Sequence, residues 1–133
     1  MGAAPSSQPA PRVTQKDELL DMLNADRAAA GLHPLTLRAG VAQTAREWAA
    51  QMARENRLSH HPDLRAALAR WGVVGWSAAG ENVGVAGHVS QVHHNFMGSP
   101  GHRASILNPS FSEVGIGVTA SGGQVWVVID FVG

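Results

Sequence analysis

Cysteine is absent from this 133-residue chain, and so is tyrosine. Without cysteine there is no disulfide, no thiol nucleophile and no thiolate zinc site, so a transition-metal site would have to use imidazole and carboxylate. The absence leaves the compartment open, because a domain of this length folds in an oxidising space without bridges. Excess charge is missing too: ten Lys and Arg balance ten Asp and Glu, for a formal net charge of zero. No basic field exists to draw in nucleic acid or an anionic membrane, so neither is expected as a partner. Nowhere do about 18 apolar residues run uninterrupted, so no segment reads as a transmembrane helix. The opening Met1 to Pro11 lacks the basic start and apolar stretch of a signal peptide. Its Pro, Ala and Ser content reads as a flexible leader or linker over residues 1–13. A start placed behind a removed signal is favoured over a native tail, which points to a secreted or cell-surface chain.

What is present describes one soluble domain over residues 14–133, with 44% hydrophobic and 15% charged residues and enough length for a single core. A monomer is expected. Thr14 to Asp17 has the form of a capping box, and Leu19, Leu20, Leu23 and Arg27 follow at helical spacing until Gly31. Leu35 and Leu37 read as a short connector tucked against the core. From about Arg38 to Arg57 an apolar stripe of Val41, Ala45, Trp48, Ala49 and Met52 predicts the strongest helix, with alanines that allow close approach of a neighbouring layer. A third helix is predicted over about 62–71, with Leu64, Ala67, Leu68 and Trp71 on one face. Val73 to Gly87, rich in Gly and Ala and without a sustained period, reads as an ordered loop crossing a cleft. A fourth helix is predicted over about 89–97, then a helical turn reaching Leu107. The period then changes. Val114, Ile116 and Val118, a turn at Ser121-Gly122-Gly123, and Val125, Val127, Ile129 and Phe131 predict a β-hairpin, with Trp126, Val128 and Asp130 on the alternate face. Helices followed by a hairpin argue for an α+β fold.

Groups that bind metals or move protons near neutral pH concentrate in three fragments: Leu58-Ser59-His60, Gly80-Glu81-Asn82 and Ser99-Pro100-Gly101-His102-Arg103. Two neutral imidazoles suit Zn²⁺ or a similar divalent ion, and a Glu completes such a site or orients its water. No compact His-Glu-x-x-His string is present. The alternative is that Glu81 and the imidazoles hydrogen-bond loop backbone. His61 reads as a solvated turn residue, and His93 and His94 as helix-surface positions with cleft lining as the alternative. His33 and His88 read as loop residues. Trp48 reads as core, while Trp76 is divided between core packing and a ligand-facing place. Ser99 sits in Gly98-Ser99-Pro100-Gly101, which is not a Gly-x-Ser-x-Gly nucleophile elbow.

Together these motifs resemble the CAP superfamily, the SCP or cysteine-rich secretory domain, in its bacterial cysteine-free form. Asn24 to Arg27 with Gly31-Leu32 and Pro34-Leu35 resembles the family's opening helix. The fragments at His60, at Glu81 and at His102 through Asn108 resemble its three central motifs, and 114–118 with 126–131 its closing strands. The resemblance covers about Leu19 to Phe131. It implies a three-layer α-β-α sandwich around a central antiparallel sheet, with His60, Glu81 and His102 converging in one cleft as metal ligands or catalytic groups. It gives Asn24 and Arg27 bracing roles. Asn82 would pin the loop carrying Glu81, Arg103 would bind a carboxylate or cap a turn, and Ser99 stands where many eukaryotic members carry a second Glu.

The functions implied are a cleft that binds a small-molecule or lipid ligand, with or without a divalent metal such as Zn²⁺; a metal-dependent hydrolase of peptide or cell-wall material with Glu81 as general base; and an interaction module with a vestigial site.

Overall fold

A computed structural model of the chain describes residues 14–133; the leader expected over 1–13 lies outside the described residues. The first helix, α1 (Gln15–Ala29), starts on the expected capping box. Thr14 Oγ1 accepts from the Asp17 N–H at 3.1 Å, and Asp17 Oδ2 accepts from the Thr14 N–H at 3.3 Å. Those Thr14 hydrogen bonds also lower the Asp17 pKa. There follow β1 (Thr36–Leu37), α2 (Ala39–Glu55), α3 (Leu64–Arg70), β2 (Ala79–Ala86), α4 (Val89–Met97), α5 (Pro100–Ile106), β3 (Glu113–Ser121) and β4 (Gln124–Val132).

The sheet runs in the order β1-β3-β4-β2 and is antiparallel except for β1, which pairs parallel with β3. The hairpin β3–β4 supplies its centre. Ser121 faces Gln124 across Gly122-Gly123, whose φ values of 61° and 77° give the left-handed pair that a tight hairpin needs.

Alternation along β4 sorts the two faces. Val125, Val127, Ile129 and Phe131 pack with Leu19 and Leu23 of α1, Val92 and Phe96 of α4, and Ile106 of α5. Trp126 and Val128 pack on Ala45, Ala49 and Met52 of α2, and Val132 joins Val41 and Leu68. The fold is therefore a three-layer α-β-α sandwich. α2 lies unusually close to β3, because a Cβ on Gly115 would overlap the Val41–Ala42 backbone and one on Gly117 the Ala45–Arg46 backbone.

Three expectations are corrected. Residues 79–86 form a strand rather than a loop. Residues 82–84 at its middle are all buried, so it lacks the polar alternation of a half-exposed strand. Trp71 is the C-cap of α3 and is 39% exposed, so it leaves the face that Leu68 buries. Leu37 is 41% exposed on the edge strand, and only Leu35 of that connector enters the core.

Candidate functional site

β2 is an edge strand, and its neighbouring residues Glu81 and Asn82 project to opposite faces of the sheet. On the α2 face, Glu81 Oε1 lies 3.1 Å from His60 Nδ1 and accepts the His61 backbone N–H at 2.9 Å. The Glu81 side chain is 4% exposed and the His60 side chain 63%, so a buried carboxyl orients an open imidazole. With the carboxylate as acceptor, His60 Nδ1 is the donor and Nε2 faces away from the pair. The 59–61 segment is fixed from below by Trp48, whose Nε1–H donates to Ser59 O at 2.8 Å and whose ring lies 4.8 Å from that of His61. Trp48 is thus half-buried, a support for the 59–61 segment as well as a flank of the core.

On the other face, the Asn82 side chain is buried and its amide donates to His102 O at 3.0 Å. It tethers the α5 backbone rather than the strand that carries it. His102 Nδ1 meets Ser99 Oγ at 3.0 Å, and its ring lies 5.0 Å from that of Phe96. His60, Glu81, Asn82, Ser99 and His102 line one open cavity of about 230 Å³ over the strand edge. A second cavity of about 230 Å³, lined by Leu58, Val83, Val85, Val92 and Phe96, adjoins it through the shared residues Ser99 and His102.

Burial, and secondarily the nearby His60, lowers the His102 pKa below the usual histidine value. The unfolded chain therefore takes up this proton first as pH falls. Stability is expected to decline below about pH 6.5. Denaturant melts at pH 7.5 and 5.5 check this, and His102→Gln should flatten the difference.

The other candidates lie elsewhere. His93 sits between α4 and α1 with Nε2 2.6 Å from Asp26 Oδ2. His94 and Arg103 are exposed. His61 Nδ1 accepts the Asp63 N–H, His88 Nδ1 caps α4 through the Ser90 N–H, and His33 Nε2 lies 3.2 Å from Phe111 O. Trp76 lies under the Arg65 guanidinium, 4.5 Å away, and packs near Val73 and Val132, away from the His60–His102 cleft. Asn24 and Arg27 brace the fold. Asn24 exchanges two hydrogen bonds with the Leu35 backbone, at 2.8 and 3.1 Å, and Arg27 reaches four carbonyls.

One residue at the site escaped the sequence reading: Asp130. It stands opposite Glu81 in the β2–β4 register and is fully buried. Neither of its carboxyl oxygens, nor Glu81 Oε2, has a hydrogen-bond donor among the described residues. Its pKa is pushed well above the usual carboxyl range, first by burial and then by the adjacent Glu81 carboxyl. The signal was available: an acid within the otherwise apolar run Val125 to Val132 requires a partner.

The family model described as CAP, the cysteine-rich secretory protein family, matches residues 20–131. The chain belongs to this family. The Bacillus subtilis (strain 168) protein YkwD is 30% identical over 129 residues, which are 93% of this chain and 48% of that protein. The chain thus spans about half the length of that relative. The crystal structure of an extracellular SCP-domain protein from Bacillus anthracis superposes with a TM-score of 0.77 at 27% identity, over 89% of this chain and 40% of that one. NaASP2, solved with Zn²⁺, shares the fold at 14% identity and a TM-score of 0.65, over 88% of this chain and 78% of that one.

This CAP domain departs from a zinc centre in its donor set. Glu81 Oε1 is occupied by His60 and the His61 N–H, while Oε2 is buried against Asp130, which leaves the two imidazoles without a free carboxylate beside them. Among the described residues no group of three or more His, Asp or Glu side chains is arranged to hold a metal ion. Catalytic zinc sites use three protein ligands, so this set falls short.

Proposed function

We propose that this is an extracellular CAP domain whose cleft binds an amphiphilic small molecule. Its hydrogen-bonding head would lie between His60 and His102 and its apolar part against Leu58, Val83, Val85, Val92 and Phe96. The observation that carries this reading is the junction at Ser99 and His102, where the compartment lined by His60, Glu81 and Asn82 meets one lined, apart from Asn95, by Leu58, Val83, Val85, Val92 and Phe96. Each is about 230 Å³. That is below the roughly 300 Å³ at which small-molecule sites begin, a size the two reach only when joined. The extracellular placement is supported by the B. anthracis relative, itself an extracellular protein. A hydrolytic reading is disfavoured by the posture of Glu81. A general base needs a lone pair within reach of the proton it takes, and Glu81 has one oxygen doubly engaged and the other buried.

Decanol and decanoic acid serve as probes, titrated calorimetrically. Saturable binding of either is expected, and failure of both to bind would overturn the proposal. Leu58 is 48% exposed, so Leu58→Asp leaves the fold intact while charging the mouth of the apolar compartment. Losing that contact, worth about 1.5 kcal/mol, should weaken binding about ten-fold.

A further inference from the structure

We propose that Asp130 is a positioning residue of the cleft: from beneath, its protonated carboxyl donates to Glu81 Oε2 and holds Glu81 as the anion that orients His60. The inference concerns how the cleft is built and stands apart from the ligand proposed above.

Glu81 and Asp130 are directly opposed in the β2–β4 register, which places their Cβ atoms on the same face about 5 Å apart. Asp130 is 0% exposed, and three carboxyl oxygens of the pair are buried with no donor among the described residues. Two ionised carboxylates in that position would repel each other out of reach of water. A single proton between them removes the repulsion and engages two of the three oxygens, leaving one Asp130 oxygen without a donor among the described residues.

The surroundings decide where that proton resides. Glu81 Oε1 already accepts from His60 Nδ1 and the His61 N–H, bonds that favour the anion on Glu81. Asp130 has apolar neighbours. Its β3 partner is Gly115, against the Val41–Ala42 backbone. The buried residues of α2 are Val41, Ala42, Thr44, Ala45, Ala49 and Met52, and that of α3 is Leu68, none of them titratable. Thr44 Oγ1 donates within the helical layer, to Gly40 O and Ala67 O. Glu81 is therefore the charged group facing Asp130, with His60 and His61 beyond it. The upward displacement of the Asp130 pKa, caused by burial and by Glu81, has the direction this arrangement requires.

The sign of the pH effect follows. Folding raises the Asp130 pKa, so the folded chain keeps a proton that the unfolded chain releases above about pH 3.9. This contribution to stability diminishes as pH rises through the folded pKa. Asparagine keeps a donor toward Glu81 Oε2 and does not ionise, whereas valine removes the donor.

The experiment is carboxyl-carbon and imidazole-nitrogen NMR on the intact chain, with thermal melts across pH. In the wild type the Asp130 carboxyl should still be protonated at pH 5, where an ordinary aspartate is ionised. Asp130→Asn should retain the signal of the His60 Nδ1–H bonded to Glu81 and lose the Asp130 contribution to the pH slope of the melting temperature. Asp130→Val should lose the His60 signal. An Asp130 carboxyl that titrates as an ordinary aspartate, or a His60 signal unchanged in Asp130→Val, overturns the proposal. If the valine variant does not fold, the wild-type titration and the asparagine variant still decide it.

Discussion

Replacing Arg27 with alanine is expected to remove roughly 3–5 kcal/mol of stability, the scale on which loss of a buried, hydrogen-bonded charge is felt. Arg27 is 0% exposed. Its Nε donates to His33 O at 2.9 Å, its Nη1 to Ile106 O and Asn108 O, each at 2.9 Å, and its Nη2 to Phe111 O at 3.2 Å. One guanidinium thus ties α1 to the loop behind it and to the whole passage from α5 to β3. Burial lowers its pKa, but a guanidinium remains protonated at any working pH. Alanine would leave His33 O and Ile106 O to find water or go unmet, while Asn108 O keeps the Phe111 N–H at 3.3 Å and Phe111 O the His33 ring nitrogen at 3.2 Å. Each buried unsatisfied acceptor costs about 1–3 kcal/mol before relaxation. Lysine keeps the charge but lacks the planar fork, so Arg27→Lys should recover only part of the loss. Urea unfolding of the two variants measures both effects. A loss below about 1 kcal/mol in the alanine variant would show that water replaces the guanidinium without penalty.

The second large effect belongs to Gly115. A methyl group there would overlap the backbone of Val41 and Ala42, and a helix backbone does not change rotamer to make room. Gly115→Ala should therefore cost about 3 kcal/mol, the upper end of overpacking penalties, by lifting α2 off the sheet. Gly101→Ala is the control. A Cβ at Gly101 in α5 meets nothing within 4 Å, so a helical alanine should be neutral or stabilise by up to about 1 kcal/mol. Because Gly115 is also the β3 partner of Asp130, the Gly115 variant should admit water over the acid pair. Exchange of amide protons in β4 accelerated beyond what the loss of global stability accounts for would register that leak.

The elements legible in the sequence were those with a single dominant period. α1 showed its capping box and α2 its apolar stripe, and the hairpin showed strict alternation around Gly122-Gly123. β2 was missed because it is covered on both faces, with Gly80 and Gly84 set where Phe111 and Phe96 press against the strand. Periodicity measures exposure contrast, and a strand without contrast looks like a loop. At the site, the resemblance to the CAP family indicated His60, Glu81 and His102 as a group, which their wide spacing alone did not. It did not indicate that Asn82 holds the His102 backbone, since neighbours on a strand face opposite ways. Asp130 was hidden for a related reason. Alternation assigned it to the face of Trp126 and Val128 but could not show that this face also carries Glu81, a fact that resides in the pairing of strands distant in sequence.

That pairing bears on how the chain reaches its fold. β2 joins the sheet only through β4, which follows every other element in sequence, so the edge strand must wait for the hairpin and then choose an alignment. A slip of one residue would turn Glu81 to the opposite face and leave Asp130 sealed beneath α2 with no acceptor for its proton. The misaligned sheet would keep most of its backbone hydrogen bonds and still carry a buried, unmatched acid costing several kcal/mol. The Glu81–Asp130 pairing thus sets the observed register energetically apart from a one-residue slip that backbone hydrogen bonding alone would hardly distinguish.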